Sequence, residues 1–322
     1  MMLTLSAAGC APQPPDDAWV LEPISYHNSL DGEARTNVID VTYPMDLVSD
    51  TNGGFWGISS DSWLHIDGSG SAVSRFNHFR SYAVGPAAAV TPTEIALVGL
   101  YWPAISSGEY IILFDTETKT DRELHADNRM IGDIAVFDGY VYFVAFTPRE
   151  ATFTIEKIPI DSNVDPIEVV PKMEGTAPVA LDLDSEGDIY VATANERVVI
   201  AADGVVRSRE SVPAERPAVS VTADGTVAWS GKATSDAEVS SFIAGGTNEA
   251  RQLIDEHDCA ASALSENADR LTLESATGRT TLPFLCNLNG FVWIGDREFV
   301  VSVGTEGGAP LIRVSPPAAT GG

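Results

Sequence analysis

The sequence predicts an all-β fold assembled from repeated sheets, and three observations carry that prediction. Between residues 45 and 316, runs rich in Val, Ile, Tyr, Phe and Trp alternate with Gly, Asp and Asn turns, and almost nothing has helical periodicity. Asn52-Gly53, Asp138-Gly139 and Asp224-Gly225 each separate two apolar runs, and such pairs favour tight hairpins because the central residues need φ > 0. The strand starts fall near residues 45, 85, 132, 178, 217 and 291, most of them 39 to 47 residues apart, about the length of one four-stranded propeller blade.

Each copy is an apolar strand, a turn, and a second strand rich in β-branched and aromatic residues, with a third strand after a short loop. Asp50–Ser59 precedes Trp63–Ile66, Ile134–Ala145 precedes Phe153–Ile158, and Leu181–Thr193 precedes Arg197–Ile200. Val219–Trp229 precedes Val239–Ile243, Phe291–Val303 precedes Leu311–Val314, and residues 89–114 form a sixth copy. The runs Ile95–Trp102 and Val141–Phe146 do not alternate in polarity, as expected for sheets covered on both faces. Such sheets must stack, and a closed ring protects their edges. The interval from 217 to 291 is nearly double and contains the strand-like runs Arg270–Glu274 and Arg279–Phe284. Two readings stay open there: a seventh blade near 259–290, which the spacing favours, or a hairpin insertion on a six-bladed ring. The last repeat lacks an outer strand after Val314, so Trp19–Ile24 or Asn37–Tyr43 is expected to close the ring as an N-terminal strand.

Within these repeats, Val179–Ala192 and Ala218–Trp229 resemble those of the NHL and YVTN-type extracytoplasmic propellers, and residues 45–316 follow that general pattern. The resemblance implies a single β-propeller domain over residues 18–316. The WD dipeptide and the kelch double glycine are absent.

The N-terminus adds a location. Met1–Gly9 is apolar, ends Ser6-Ala7-Ala8-Gly9 and meets Cys10, followed by the proline-rich Ala11–Asp17, a composition that reads as an extended tether. This resembles a bacterial lipobox, which implies lipidation of Cys10. Ala7 stands where that pattern has Leu, and no Lys or Arg precedes the apolar run. The run is short for a complete signal, and the natural start is expected upstream. The expected organisation is a signal remnant at 1–9, a lipidated cysteine and tether at 10–17, the propeller at 18–316 and a tail at 317–322. That places the chain on the extracytoplasmic face of the cell membrane as a lipid-anchored monomer. The other two cysteines, Cys259 and Cys286, form an even pair in an oxidising compartment and are expected to be disulfide-bonded. No other apolar run approaches the ~20 residues that span a bilayer.

The formal charge of −27 excludes broad attraction to nucleic acid or an anionic membrane face. HExxH, GxSxG and paired CxxC are absent, and Gly231-Lys232 lacks the phosphate-loop frame, with Ala233 in place of Ser or Thr. Asp182–Asp188 imitates the start of a calcium loop, but Thr193 stands where the closing Glu belongs, so its acids and Gly187 are read as turn residues. Asp255–Cys259 offers carboxylates and a His and is read as an exposed loop. No catalytic residue, metal ligand or cofactor is assigned.

The loops joining successive blades, with those between second and third strands, converge on one end of the channel. They carry Arg80, Arg129 and Arg216, with Tyr101-Trp102 nearby. Arginine forks suit carboxylate or phosphate, so these five residues form the candidate site for an anionic or sugar-like ligand. The competing reading pairs each arginine with a local acid at a blade junction. Functionally, the sequence points to a ligand- or envelope-protein-binding lipoprotein. The alternative is a metal-dependent propeller hydrolase or lyase with its site at the channel, as in SMP-30-type lactonases, whose ligand motif finds no match here. An acidic trio at the channel would favour the enzyme, and a broad apolar patch a scaffold role.

Overall fold

The computed structural model describes residues 20–28, 33–36, 38–39, 46–50, 52–58, 62–69, 72–77, 82–101, 109–162, 164–175, 179–214, 217–222, 224–232, 269–276, 278–283, 288–295, 298–303 and 309–315. Every regular element among them is a β-strand. Four short strands come first: β1 (Val20–Pro23), β2 (Ser25–Asn28), β3 (Glu33–Thr36) and β4 (Val38–Ile39). Six antiparallel sheets then follow in chain order. The first holds β5 (Asp46–Ser49), β6 (Phe55–Ile58), β7 (Ser62–Ile66) and β8 (Ala72–Asn77). The second holds β9 (Tyr82–Ala89), β10 (Glu94–Tyr101), β11 (Glu109–Asp115) and β12 (Thr120–Asp127). The third is β13 (Met130–Phe137), β14 (Tyr140–Thr147), β15 (Thr152–Pro159) and β16 (Ile167–Glu174), and the fourth is β17 (Val179–Leu183), β18 (Ile189–Thr193), β19 (Glu196–Ile200) and β20 (Val206–Ser211). The fifth is β21 (Val219–Val221), β22 (Val227–Lys232), β23 (Asp269–Ser275) and β24 (Gly278–Pro283), and the sixth is β25 (Leu288–Trp293), β26 (Phe299–Val303) and β27 (Ala309–Ser315).

The innermost strands β5, β9, β13, β17, β21 and β25 neighbour one another in a closed cycle. The protein is therefore a six-bladed β-propeller, which corrects the seven blades favoured by spacing. The runs read as a possible seventh blade, or as an inserted hairpin, are β23 and β24, the outer half of the fifth blade, with Leu271 opposite Ser230 of β22. Residues 233–268 connect the second and third strands of that blade, and this long connection mimicked a missing repeat. Cys259 lies within it and Cys286 between β24 and β25, both outside the described residues.

The blades pack through alternate residues of single strands. Along β10, Ile95 and Leu97 join Trp56, Trp63 and Phe114 against the first blade, whereas Ala96 and Val98 join Phe143 and Ile134 against the third. Along β14, Val141, Phe143 and Ala145 face the second blade, and Tyr142, Val144 and Phe146 face the fourth with Val191 and Ile200. A period-2 backbone that is apolar at both parities has two faces to bury, and each face needs a neighbouring blade.

The hairpin joining first and second strands is braced by its own side chains. In the first blade, Asp50 accepts from the N–H groups of Asn52 and Gly54 at 2.7 and 2.8 Å, and its other oxygen lies 2.9 Å from His65 Nε2. The His65 ring stacks on Trp56 at 4.1 Å. A Cβ on Gly54 would stand 2.4 Å from the Ile66 carbonyl oxygen, so only glycine fits there. In the third blade Asp138 and Gly139 both take positive φ, 47° and 76°, as a two-residue hairpin of that hand requires.

The N-terminal strands attach at the junction of the sixth and first blades. β1 pairs antiparallel with β27, Val20 opposite Ser315 and Pro23 opposite Ile312. β2 and β3 extend the first blade, Asn28 pairing in parallel with Ala72, and β4 returns to β27. Between β1 and β2, the N–H of Ile24 donates to the Leu311 carbonyl at 3.0 Å. Its side chain is buried among Leu47, Phe55, Val292 and Val300 of both blades. Ile24→Ala is expected to cost about 2–4 kcal/mol, the usual penalty for emptying an apolar site. Exposed Val205→Ala should stay within about 0.5 kcal/mol. Denaturant midpoints of the two variants check the difference.

Candidate functional site

Among the described residues, no strand pairs with an innermost strand on its channel side, so alternate backbone N–H groups there need acceptors other than a ladder. Three aspartates supply acceptors. Asp46 on β5 accepts from its neighbour Leu47 at 2.9 Å and, through its other oxygen, from Ala87 on β9 at 2.9 Å. Asp133 on β13 accepts from Ile134 at 2.8 Å and from Leu181 on β17 at 2.7 Å. Asp182 on β17 accepts from Leu183 at 2.8 Å and from Val221 on β21 at 2.7 Å. These carboxyls therefore fasten the first blade to the second, the third to the fourth, and the fourth to the fifth. At the next junction Trp293 Nε1 donates to the Ser220 carbonyl at 3.2 Å.

The electrostatics follow from that position. Burial raises the carboxyls of Asp46 and Asp182 to about 6, against the opposing pull of their backbone N–H bonds. Asp133 is raised well above the usual carboxylate range, by burial first and then by the charges of Asp46 and Asp182. The three groups share one field around the channel.

A second cluster sits at the opposite end of the strands from the first hairpins, where β12 passes to β13. Arg129 donates from Nε and Nη2 to Asp127 at 3.0 and 2.7 Å and from Nη1 and Nη2 to Glu156 at 2.6 and 2.9 Å. Nη1 also reaches Thr154 Oγ1 at 3.2 Å. Bonds to Glu156 and Asp127 hold the guanidinium above its ordinary range. Burial acts to raise Asp127, but bonds from His125 and Arg129 outweigh it and hold the carboxyl far below its usual range. Glu156 is lowered in the same way, bonds from Arg129 and Thr154 outweighing burial. Glu109, opposite Asp127 in the ladder, accepts the Ile131 N–H and is raised by burial and by the Asp127 charge. Arg129 thus joins the second blade to the third through two carboxylates.

The same device recurs between the fourth and fifth blades. Buried Arg197 donates to the Ser230 carbonyl at 3.2 Å and lies 5.5 Å from the Trp229 ring centroid. Arg279 forks onto Glu210 at 3.2 and 3.0 Å.

Of the residues singled out by sequence, Arg129 is placed among acids as described. Tyr101 ends β10, with only its backbone described, and Cys10, Arg80, Trp102, Arg216, Cys259 and Cys286 lie outside the described residues. Among the described residues no three His, Cys, Asp or Glu side chains are grouped so as to hold a metal. In the calcium-like run, Asp184 accepts from the N–H groups of Glu186 and Asp188, both at 2.9 Å, and Gly187 takes φ +84°, so this segment is a braced hairpin. The sequence reading did not single out Asp46 and Asp133, and it assigned Asp182 to the turn. Their signal was available: an acid followed by Leu or Ile inside an otherwise apolar inner strand, as in Asp46-Leu47, Asp133-Ile134 and Asp182-Leu183.

No protein-family model matches the chain, and no curated protein matches it in sequence. Solved structures do match its fold. A gluconolactonase from Xanthomonas campestris superposes with a TM-score of 0.56 at 13% identity, covering 97% of this chain and 99% of that one. YCF48 bound to a D1 peptide gives 0.52 at 11% identity, with 88% and 96% covered. A putative gluconolactonase gives 0.53 at 9% identity, with 92% of each chain covered. At such identities the likeness shows the fold alone, and that fold is the β-propeller.

The channel acids set a pH dependence. A carboxyl raised in the folded chain keeps a proton that the unfolded chain has released, so its contribution to stability falls as pH rises from the ordinary 3.8 to about 6. Asp127 and Glu156, lowered by their partners, act in the opposite sense, and their contribution is lost only below the ordinary carboxylate range. The melting temperature is therefore expected to be several degrees higher near pH 5 than near pH 7.5. Asp46→Asn with Asp182→Asn should flatten that rise in a melting series across the window.

Proposed function

We propose that this protein is a membrane-anchored extracytoplasmic β-propeller that serves as a rigid platform for a ligand or partner protein. A lipid on Cys10 holds it to the membrane, and the N-terminal strand latches the ring. One observation carries the reading: the described ionic groups of the channel and rim are engaged in tying blade to blade. Asp46, Asp133 and Asp182 each bridge two inner strands, and Arg129 is saturated by Asp127 and Glu156. Groups fixed in this way support a stiff ring that presents its loops, and propeller loops are where recognition resides. The candidate anionic or sugar-like ligand site, Arg80, Tyr101, Trp102 and Arg216 beside Arg129, remains part of this proposal.

A second reading, a metal-dependent hydrolase or lyase acting at the channel, has one specific support. Among the acids of the inner strands, burial and the charges of Asp46 and Asp182 act together on Asp133, and of the similar folds one is described as a gluconolactonase and another as a putative gluconolactonase. Metal analysis of the purified protein, with melting curves before and after chelation, separates the two. The platform reading expects no stoichiometric metal and no shift. A bound divalent ion whose removal lowers the melting temperature would establish the enzyme reading instead. Anchoring has its own test: Cys10→Ser is expected to move the protein from the membrane fraction to the soluble one. A wild-type chain already in the soluble fraction would sink the anchor.

A further inference from the structure

Four of the five exposed large apolar side chains among the described residues lie on one part of one face: Val164, Ile167, Val205 and Val206. They are 47–60% exposed. Val164 and Ile167 belong to the turn from β15 to β16 and its first strand residue. Val205 and Val206 hold the same places between β19 and β20. The two turns adjoin across the junction of the third and fourth blades. A Cβ on Gly204 would stand 3.4 Å from the Val169 carbonyl oxygen, which sets Val205 beside β16. This face is the one carrying the first hairpins, as the bonds Ile160 N–H to Gly139 O at 3.0 Å and Ala202 N–H to Asp188 Oδ1 at 3.2 Å show. It lies at the opposite end of the strands from Arg129.

The surroundings define the occupant. The two segments Asp161–Glu168 and Ala201–Val206 carry four acids and no basic residue, and Asp165, Glu168 and Asp203 are exposed in the same two segments as the apolar side chains. Arg207, the next cation along β20, is engaged by buried Asp188. A second copy of this chain, at −27, would bring like charge against this acidic border. Among the described residues, β16 and β20 are also the outer edges of their sheets, each pairing with one strand, so extended backbone can add there.

We infer that the turn face of the third and fourth blades docks an extended segment of another protein in which apolar side chains alternate with lysine or arginine. The apolar residues cover Val164, Ile167, Val205 and Val206, and the cations meet Asp165, Glu168 and Asp203. The inference goes beyond the platform proposal and depends on neither the lipid nor the channel, so the two can fail separately.

The test uses the full chain and a fluorescent peptide of about ten residues alternating valine with lysine, beside a lysine–serine peptide of equal charge. The valine peptide is expected to bind roughly tenfold more tightly, and Ile167→Ser with Val206→Ser to erase that advantage while leaving the melting temperature unchanged. Asp165→Asn, Glu168→Gln and Asp203→Asn together should weaken binding and flatten its salt dependence. Equal binding of the two peptides would show mere attraction to an acidic surface and overturn the inference. So would undiminished binding to the serine variant. Should that variant melt early, amide shifts of the unaltered chain decide: shifts centred on residues 161–169 and 201–206 uphold the site, and shifts confined to other blades overturn it.

Discussion

The constraint on which everything else depends is that single strands bury successive residues against opposite neighbours. Ile95 and Leu97 face one blade while Ala96 and Val98 face another, and β14 divides its residues in the same way. A sheet with two apolar faces cannot be a solvated layer, so each needs a blade on either side. A row of such sheets ends in two uncovered faces unless it returns on itself. The cluster joining Leu47 and Phe55 to Val292 and Val300 is where this row does so.

Closing the faces leaves the edges to satisfy, and the polar residues of the interior are spent there. Inner-strand N–H groups find acceptors in the aspartates of the preceding blade. Farther out, arginines bridge junctions as well: Arg129 joins blades two and three, where none of the three aspartates does, and Arg279 joins four and five. The two devices differ electrostatically. Arg129 and its carboxylates stay ionised because each satisfies the other, whereas the channel aspartates have neutral amides for partners and respond to burial by holding their protons. An acidic chain thus carries, at its centre, the acids most inclined to be uncharged.

Legibility in the sequence followed the range of the interaction. Hairpins such as Asp138-Gly139 and the braced turn at Asp184 are local, and residue type announces them. The repeat length was legible too, until the connection between β22 and β23 lengthened it and suggested a seventh blade. Nothing in Arg270–Glu274 says whether it begins a new sheet or completes an old one, because that depends on pairing with β22 across residues 233–268. Arg129 was recognised as a rare cation in the right loop. Its pairing with a local acid was the competing reading, and Asp127, two residues before it, is such an acid. The further bond to Glu156 was not legible, because that residue lies on another strand of the next blade.

The sequence by itself determined the all-β class, the double-faced strands, the turn chemistry and the blade as repeating unit, since all of these rest on period-2 patterning and local backbone preference. Only the tertiary structure decided the number of blades, the strand that pairs with β27 from the N-terminal side and the meaning of Asp46, Asp133 and Asp182. It also decided that Val164, Ile167, Val205 and Val206 gather on one acidic patch of the turn face. The physical reason is common to all: these outcomes depend on which edges and faces meet, and residues far apart in the chain share no local signal that they will do so.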